Sequence, residues 1–321
     1  MSHELNFKEG RASMFYVSEA PWHNLGTKLD KPATAAQAIK AAQLDYMVAK
    51  KPLRAVIRGR QQADVPDHFA TVRMDTDTVL GVVGSRYQII QNKDAFQFFD
   101  ALVGEGEAMY ETAGVLGNGE RIWILARLPG YIKVRGQDIV NKYLLLTNSH
   151  DGSSLVRARL TPIRVVCSNT LSIALQGSEE EVRIRHTPSA VENLRQAHEL
   201  LGLTNQLYDQ LAGIFQKMSL KKISDKQLMD YVQTLVPDNE DAQFKTRSEN
   251  IRNKILELHE AGVNSHLSRG TVWGMYNAVT EYSDHLVHAN APMKRLNSVW
   301  FGNGSRFKEK AFELAKEYLK N

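Results

Sequence analysis

The chain has 321 residues, of which 43% are hydrophobic and 24% charged, and its formal net charge at pH 7 is +4. These values are typical of folded globular proteins and exclude wholesale disorder. No stretch approaches the roughly 18 consecutive apolar residues of a membrane-spanning helix, and the first residues lack the apolar run of a secretory signal. We therefore expect a cytoplasmic protein without membrane contact.

The first predicted segment, residues 1–67, combines a short helix with basic strands. Residues 34–43 are rich in alanine, and Thr34 can cap a helix there. Lys50, Lys51 and Arg54 then alternate with apolar residues as far as Gly59, which predicts two strands joined by a turn. The cations fit either a phosphate-binding surface or an ordinary edge strand that charge protects from aggregation.

Residues 68–188 predict an antiparallel sheet core. Strands at 68–74 and 78–84 flank the Asp75-Thr76-Asp77 turn, and a helix begins at Asn92. Further alternating strands are joined by turns that contain glycine, and a short helix is expected near the end of the segment. These later strands cover residues 108–115, 121–128, 143–148 and 154–160.

From residue 189 to the end, apolar residues recur at helical spacing. The charged stretch 179–188 predicts an exposed boundary before this region. We therefore expect an α+β fold in which a central antiparallel β-meander is packed by helices and is followed by an all-helical C-terminal region, with three segments at 1–67, 68–188 and 189–321.

Cys167 is the single cysteine, which excludes an internal disulfide and a site with several cysteine ligands. With His150 and either Asn148 or Asn169 it has the residue types of a Cys/His hydrolase. A cysteine that follows two valines is more typical of a buried strand. The consecutive Ser149, His150 and Asp151 indicate a hairpin turn, because neighbouring strand residues point to opposite faces.

His285 and His288, with Glu281 and Asp284 one turn earlier, could hold a metal on one helix face. No second ligand cluster accompanies them, so we interpret them as a polar helix surface. The glycine pairs lack the lysine and serine or threonine that complete a phosphate-binding loop. The sequence predicts no catalytic residue, no metal site and no cofactor.

Positive side chains at alternate positions of predicted strands are the strongest indication of function in the sequence. Arg157 and Arg159 lie two residues apart and so share a strand face, as do Lys133 and Arg135 beside Tyr131. Alternating cations near aromatic rings are suited to the backbone and bases of single-stranded DNA. The alternative is a set of ordinary, half-solvated strands.

Five strings, which together span nearly the whole chain, carry a resemblance to a known family: Pro21-Trp22-His23-Asn24-Leu25-Gly26, Arg86-Tyr87-Gln88, Asn148-Ser149-His150-Asp151-Gly152, Arg164-Val165-Val166-Cys167-Ser168-Asn169-Thr170-Leu171 and Asn277-Ala278-Val279-Thr280-Glu281-Tyr282. As a set they resemble a family of phage- and plasmid-borne proteins described only as a domain of unknown function, DUF932. The resemblance implies a mobile-element setting and supplies no activity.

The predicted order of hairpin, helix, antiparallel strands and helix is also similar to that of single-strand annealing proteins of the RecT and Rad type. That likeness implies a homo-oligomer that holds single-stranded DNA in a basic groove. We therefore expect a non-catalytic DNA-binding or annealing protein; the alternatives are a protein that inhibits a host defence factor and a Cys/His hydrolase. The expected phosphate contacts are Lys50, Lys51, Arg54, Arg121, Arg127, Lys133, Arg135, Arg157, Arg159 and Arg164, with Tyr131 and Tyr143 as stacking residues.

Overall fold

The computed structural model describes residues 5–17, 26–31, 33–59, 62–103, 109–136, 138–164, 169–170, 181–190, 192, 201–238, 242–263, 265–289, 294–295, 298–299 and 302–320. The chain divides into two compact units. Unit 1 comprises Met1–Pro129, Tyr143–Leu160 and Glu181–Leu203, and unit 2 comprises Gly130–Lys142, Thr161–Glu180 and Thr204–Asn321. The predicted division into three segments stays a prediction.

The helices and strands occur in the following order along the chain: β1 Phe7–Lys8, β2 Arg11–Ala12, β3 Met14–Val17, β4 Thr27–Leu29, α1 Ala35–Ala41, β5 Val48–Val56, β6 Gln62–Arg73, β7 Thr78–Gly84, α2 Asn92–Val103, β8 Met109–Leu116, β9 Arg121–Arg135, β10 Asp138–Ser149, β11 Val156–Leu160, β12 Ile163–Arg164, β13 Asn169–Thr170 and β14 Glu181–Ile184. The later helices are α3 Leu201–Leu220, α4 Asp225–Leu235, α5 Ala242–Ala261, α6 Val272–Glu281 and α7 Asn303–Glu317, with a 3-10 helix at Ser265–Leu267 and a π-helical turn at Tyr282–Leu286.

Unit 1 is built on a sheet in which the strands lie in the order β4, β3, β8, β9, β10, β11 and β14. The pair β3 and β4 is parallel, whereas β3–β8, β8–β9, β10–β11 and β11–β14 are antiparallel. Residues 122–126 of β9 are buried throughout, so both faces of the sheet are covered there. Gly114 faces Trp123, and a Cβ atom at Gly114 would overlap the indole ring.

A second sheet of unit 1 contains the antiparallel strands β5, β6 and β7. Helix α1 begins at the predicted cap: the Thr34 hydroxyl accepts from the Gln37 backbone N–H, and the Gln37 side chain accepts from the Thr34 N–H in return. The predicted helix at Asn92 is also present as α2.

Unit 2 is a helical assembly around α6, whose residues are all buried. Its aromatic core joins three helices: Phe215 of α3 packs on Trp273 of α6 at 4.7 Å between ring centroids, and Phe312 of α7 packs on Tyr276 at 5.3 Å. The tip of the β9–β10 hairpin also belongs to this unit, because the Trp273 indole N–H donates to the buried Asp138 carboxylate at 2.7 Å.

The mixed α+β fold and the helical C-terminal region are confirmed. The boundary predicted at 179–188 stays a prediction; within this stretch β14 pairs with β11, and Ile184 is 5% exposed. The charged residues of this stretch alternate with apolar ones, a pattern that a half-buried strand shares with a solvated linker. The predicted short helix at 170–175 lies outside the described residues after Thr170.

Candidate nucleic-acid interface

The end of β9, next to the β9–β10 turn, carries three of the predicted residues on one exposed face. Tyr131, Lys133 and Arg135 are exposed, and Tyr131 keeps 59% of its surface in solvent. The intervening Ile132 and Val134 are buried, with 4% and 0% exposed. Strict alternation along a strand puts the three exposed side chains on the same side. We call Tyr131, Lys133 and Arg135 the β9 strip.

Helix α3 fixes the backbone of the β9 strip within unit 2. The Gln216 side-chain amide donates to the Lys133 carbonyl at 2.5 Å, and the Arg135 guanidinium donates to the Ser219 carbonyl at 3.4 Å. The next residue after Gln216, Lys217, is exposed in the last turn of the helix. The position of the strip is therefore fixed by hydrogen bonds to helix α3.

The hairpin that carries the strip is strongly basic for its length. Residues 121–149 contain five Lys or Arg and one acid, Asp138, so their formal charge is 5 − 1 = +4. Asp138 is buried and bonded to Trp273, which removes its carboxylate from the surface. Lys142 of β10 places its ammonium over the Tyr208 ring at 5.3 Å. The exposed charge of this hairpin is therefore positive.

Three predicted phosphate contacts lie on β5 in unit 1, and they differ in availability. The Lys50 ammonium donates to the carbonyls of Ser85 and Tyr87 at 2.7 and 3.1 Å, so internal contacts use it. Arg54 pairs with Asp64 at 3.0 Å, but both side chains are more than 60% exposed, and such pairs are weak. Lys51 is exposed.

The remaining predicted cations of unit 1 have protein neighbours. Arg121 donates to the Ser153 hydroxyl at 3.3 Å. Arg157 and Arg159 share a face of β11 as predicted, but the β14 register sets Arg183 and Glu181 opposite them. Burial raises the pKa of Glu111, and the positive charge of Arg127 counteracts that rise. Arg164 belongs to β12 in unit 2, and its side chain lies outside the described part.

Tyr143 differs from Tyr131 in accessibility. Only 8% of Tyr143 is exposed, and its hydroxyl donates to the Glu111 carboxylate at 3.5 Å. A stacking residue must offer a ring face to a base. Because Tyr143 on β10 is covered, Tyr131 is the member of the predicted pair that can stack on a base.

The string Asn148–Gly152 forms a buried hydrogen-bond network in unit 1. His150 is fully buried, and its Nε2–H donates to Asn92 Oδ1 at 2.9 Å. Asn148 donates to the Ile90 carbonyl at 3.1 Å, and the Tyr87 hydroxyl donates to the Ser149 carbonyl at 2.8 Å. Burial lowers the pKa of His150 to about 3, so its imidazole is neutral.

The buried position of His150 bears on the hydrolase alternative. A general base must come within hydrogen-bond reach of its substrate, and His150 has no exposed surface. The other half of that pair, Cys167, lies outside the described residues. The turn predicted at Ser149, His150 and Asp151 is confirmed by the antiparallel pairing of β10 and β11, whereas no local pattern predicted that the histidine is buried.

The interpretation of Glu281 and Asp284 as a polar helix surface is wrong. Glu281 is 8% exposed and accepts from the Val263 backbone N–H at 3.0 Å. Asp284 pairs with the ammonium of Lys308 at 2.6 Å, with side-chain exposures of 5% and 0%. Within the described residues no three His, Cys, Asp or Glu side chains come together as metal ligands would.

Comparison with known proteins gives one match. The model of the family described as Domain of unknown function (DUF932) matches residues 79–300, which is more than half of the chain and includes the β9 strip. No curated protein and no solved structure matches. In the described part of the chain, no helix combines the length and apolar character needed to cross a membrane.

Proposed function

The chain belongs to the DUF932 family, and on the chemistry of its exposed strands we propose that it binds single-stranded DNA without catalysing a reaction. The observation that carries this proposal is the β9 strip, in which one exposed aromatic ring and two exposed cations alternate with buried residues. The contact surface is placed on Tyr131, Lys133 and Arg135.

The spacing of the strip suits an extended polyanion. Alternate residues of a strand lie about 6.6–6.8 Å apart, which is of the order of the phosphate repeat in an extended nucleic-acid strand. Lys133 and Arg135 would then meet successive phosphates, while a base stacks on Tyr131. Stacking of this kind tolerates any base, because every base has a π face. Binding is therefore expected to depend little on sequence.

The charge distribution supports the same surface. The hairpin at 121–149 carries a formal charge of +4, equal to that of the whole chain, and its only acid is buried. Phosphate contacts release bound counterions, so affinity that rests on these cations must fall as salt rises. Duplex DNA would offer phosphates but no unstacked base for Tyr131, so single strands are the preferred ligand.

A finer role extends this proposal. The family resemblance and the RecT- and Rad-type order of elements support a phage or plasmid protein that anneals complementary strands during recombination. Annealing requires that the bases of a bound strand stay able to pair, and backbone contacts through Lys133 and Arg135 meet that requirement. Lys51 and Arg54 of unit 1 are retained as further phosphate contacts.

The test is fluorescence anisotropy of a labelled single-stranded oligonucleotide at several salt concentrations. Lys133→Ala/Arg135→Ala should weaken binding and reduce the slope of log K against log salt by about 1.4, or about 0.7 for each lost phosphate contact. The matched control is Lys226→Ala/Lys245→Ala, which removes the same charge from exposed helix positions of unit 2. Equal weakening in both variants, or no binding by the wild type at low salt, would contradict the proposal.

A further inference from the structure

The three-stranded sheet of unit 1 exposes an unusual amount of apolar surface. Twelve large hydrophobic side chains of the described residues are exposed, and six of them belong to β5, β6, β7 or the residues next to these strands. Antiparallel sheets that face water on one side normally present polar residues there. A concentration of apolar side chains on such a sheet is typical of an interaction surface.

Four of these side chains share one face of the sheet. The Met74 N–H donates to the Met47 carbonyl, Val72 pairs with Val79, and Ala70 pairs with Val82. A bulge in the β6–β7 pair lets Val79 and Val82 point to the same side although they are three residues apart. We call this surface the apolar face; its exposed members are Met47, Met74, Val79 and Val82, with 53%, 41%, 58% and 50% of their surfaces in solvent.

The opposite face of the same sheet is filled within unit 1. Val48, Leu80 and Val83 are buried there, with 3%, 6% and 6% exposed. Arg73 is 1% exposed and stacks on the Tyr46 ring at 4.0 Å. The exposed apolar side chains therefore do not contribute to the core that this sheet forms within unit 1.

The other two exposed side chains lie at the end of a two-stranded arm. Beyond Pro52 of β5 nearly every residue is exposed, and Val56 and Ile57 at the end are 67% and 63% exposed. A two-stranded ribbon without covering is at best marginally stable in water. We call Val56 and Ile57 the arm tip.

The arm tip cannot cover the apolar face of its own chain. The face lies at the start of β5 and the tip at its end, and the seven steps from Ala49 to Val56 extend about 23 Å at about 3.3 Å per residue. Any contact between the two surfaces must join different molecules.

The charges at the edges of the two surfaces are complementary, and one cation, Lys51, lies on the apolar face itself, because it pairs with Ala70, which in turn pairs with Val82. Arg58 follows the arm tip directly and is exposed, and Arg60 comes two residues later. Two exposed carboxylates lie next to members of the apolar face in the sequence. Asp45 precedes Met47 by two residues, and Asp77 lies in the turn before Val79. No salt bridge joins either carboxylate to another described residue. Opposite charges around apolar centres favour docking in one orientation.

We propose that the arm tip of one copy of this chain docks on the apolar face of a second copy. One copy supplies its arm tip and the other its apolar face, so the contact is head-to-tail, and the pair keeps one unused face and one unused tip. Repetition of the contact gives a ring if it closes and a filament if it does not. This inference goes beyond DNA binding and does not depend on it.

Sedimentation velocity of the full chain without DNA tests the proposal, with two variants that keep β-branched residues in their strands. Val56→Thr/Ile57→Thr alters the arm tip, and Val79→Thr/Val82→Thr alters the apolar face. The wild type should associate increasingly with concentration, and each variant alone should sediment as a monomer. A mixture of the two variants should form a dimer with one chain of each, because each supplies the surface that the other lacks.

Several results would overturn the proposal. One is a monomeric wild type at all concentrations, which would leave the apolar face to a different partner. Another is a mixture of variants that stays monomeric, since an intact arm tip and an intact apolar face would then be present without binding each other. Association by either variant at the wild-type level would also contradict it. Thermal unfolding within a degree or two of wild type serves as the folding control, because the altered side chains are exposed.

Discussion

The Asn148–Gly152 network and the β9 strip differ in what their polar residues contact. In the network, His150 and Asn92 bond to each other inside unit 1, and the imidazole has no exposed surface. In the strip, Tyr131 and Lys133 extend from a strand whose alternate residues are buried. The polar groups of the network contact other buried groups of unit 1, whereas the Tyr131 and Lys133 side chains are exposed to solvent.

This difference separates residues that should affect stability from residues that should affect ligand binding. The strings that resemble the DUF932 family include buried polar residues in both units, such as His150 and Glu281. Buried polar groups must be hydrogen-bonded, and their partners fix a single packing arrangement. Their substitution should change the stability of the protein, whereas substitution in the strip should change DNA binding at unchanged stability.

The largest expected effect belongs to the buried pair of unit 2. Lys308→Ala removes the ammonium that Asp284 contacts at 2.6 Å, so a carboxylate that is 5% exposed loses this ion pair and keeps the more distant charge of Arg295. Breaking a buried pair in this way costs about 3–5 kcal/mol. Urea unfolding should show that loss, while the folded protein keeps its affinity for single-stranded DNA.

A matched double variant sharpens that prediction. Lys308→Met/Asp284→Leu removes both charges and keeps the side-chain volume, so it should lose less stability than Lys308→Ala. If both variants kept wild-type stability, the pair would not support the helical core. If DNA affinity fell with either variant at full folding, the separation between stability and binding would break down.

The next effect is a dependence of stability on pH in unit 1. Burial lowers the pKa of His150 to about 3, whereas an unfolded histidine titrates near 6.5. Between these values the unfolded chain holds a proton that the folded chain does not, so stability falls as pH drops from about 6.5 toward 3. Burial lowers the pKa of His186 too, and its contribution has the same sign.

The slope reaches about 1.4 kcal/mol per pH unit for one fully titrating group. Urea unfolding at a series of pH values measures it, with His150→Gln as the comparison. The variant has no titrating imidazole at this position and should show a shallower fall between pH 6 and 4, the range set by these two pKa values. An unchanged slope in His150→Gln would show that other groups cause the acid sensitivity.

The smallest expected effect is that of the single ring in the strip. Tyr131→Ala should weaken single-stranded DNA binding by about 1–3 kcal/mol, the range for loss of one stacked base. Tyr131→Phe retains the ring and should bind nearly as the wild type does. Since 59% of the Tyr131 surface is exposed, neither change should alter the unfolding midpoint much. Equal affinity of the Ala and Phe variants would argue against stacking.

Local patterns predicted most of the fold. The turn at Asp75–Asp77, the helix from Asn92 and the cap at Thr34 were each readable from a few adjacent residues, and each is confirmed. The predicted end of a strand at Leu128 is wrong, because β9 continues through Pro129 and Gly130 to Arg135. Gly130 adopts a φ of 80°, which allows an irregularity within the strand rather than its end.

The candidate site was harder to predict, because accessibility depends on distant parts of the chain. Strand spacing alone placed Tyr131, Lys133 and Arg135 on one side. The support that Gln216 gives to Lys133 joins residues 83 positions apart, and no local pattern reports such a contact. In the same way, nothing near Asp284 in the sequence indicates that Lys308 neutralises it. Alternation along a strand shows to which face each side chain points. It does not show what covers that face.

The most direct measurement of the central claim is photochemical crosslinking of the full chain to a single-stranded oligonucleotide that contains a photoreactive base, followed by peptide mapping. We expect crosslinks on the peptide that contains Tyr131, with loss of that product in Tyr131→Ala and strong competition by unlabelled single strands but weak competition by duplex. Crosslinks confined to peptides outside residues 121–149 would contradict the account.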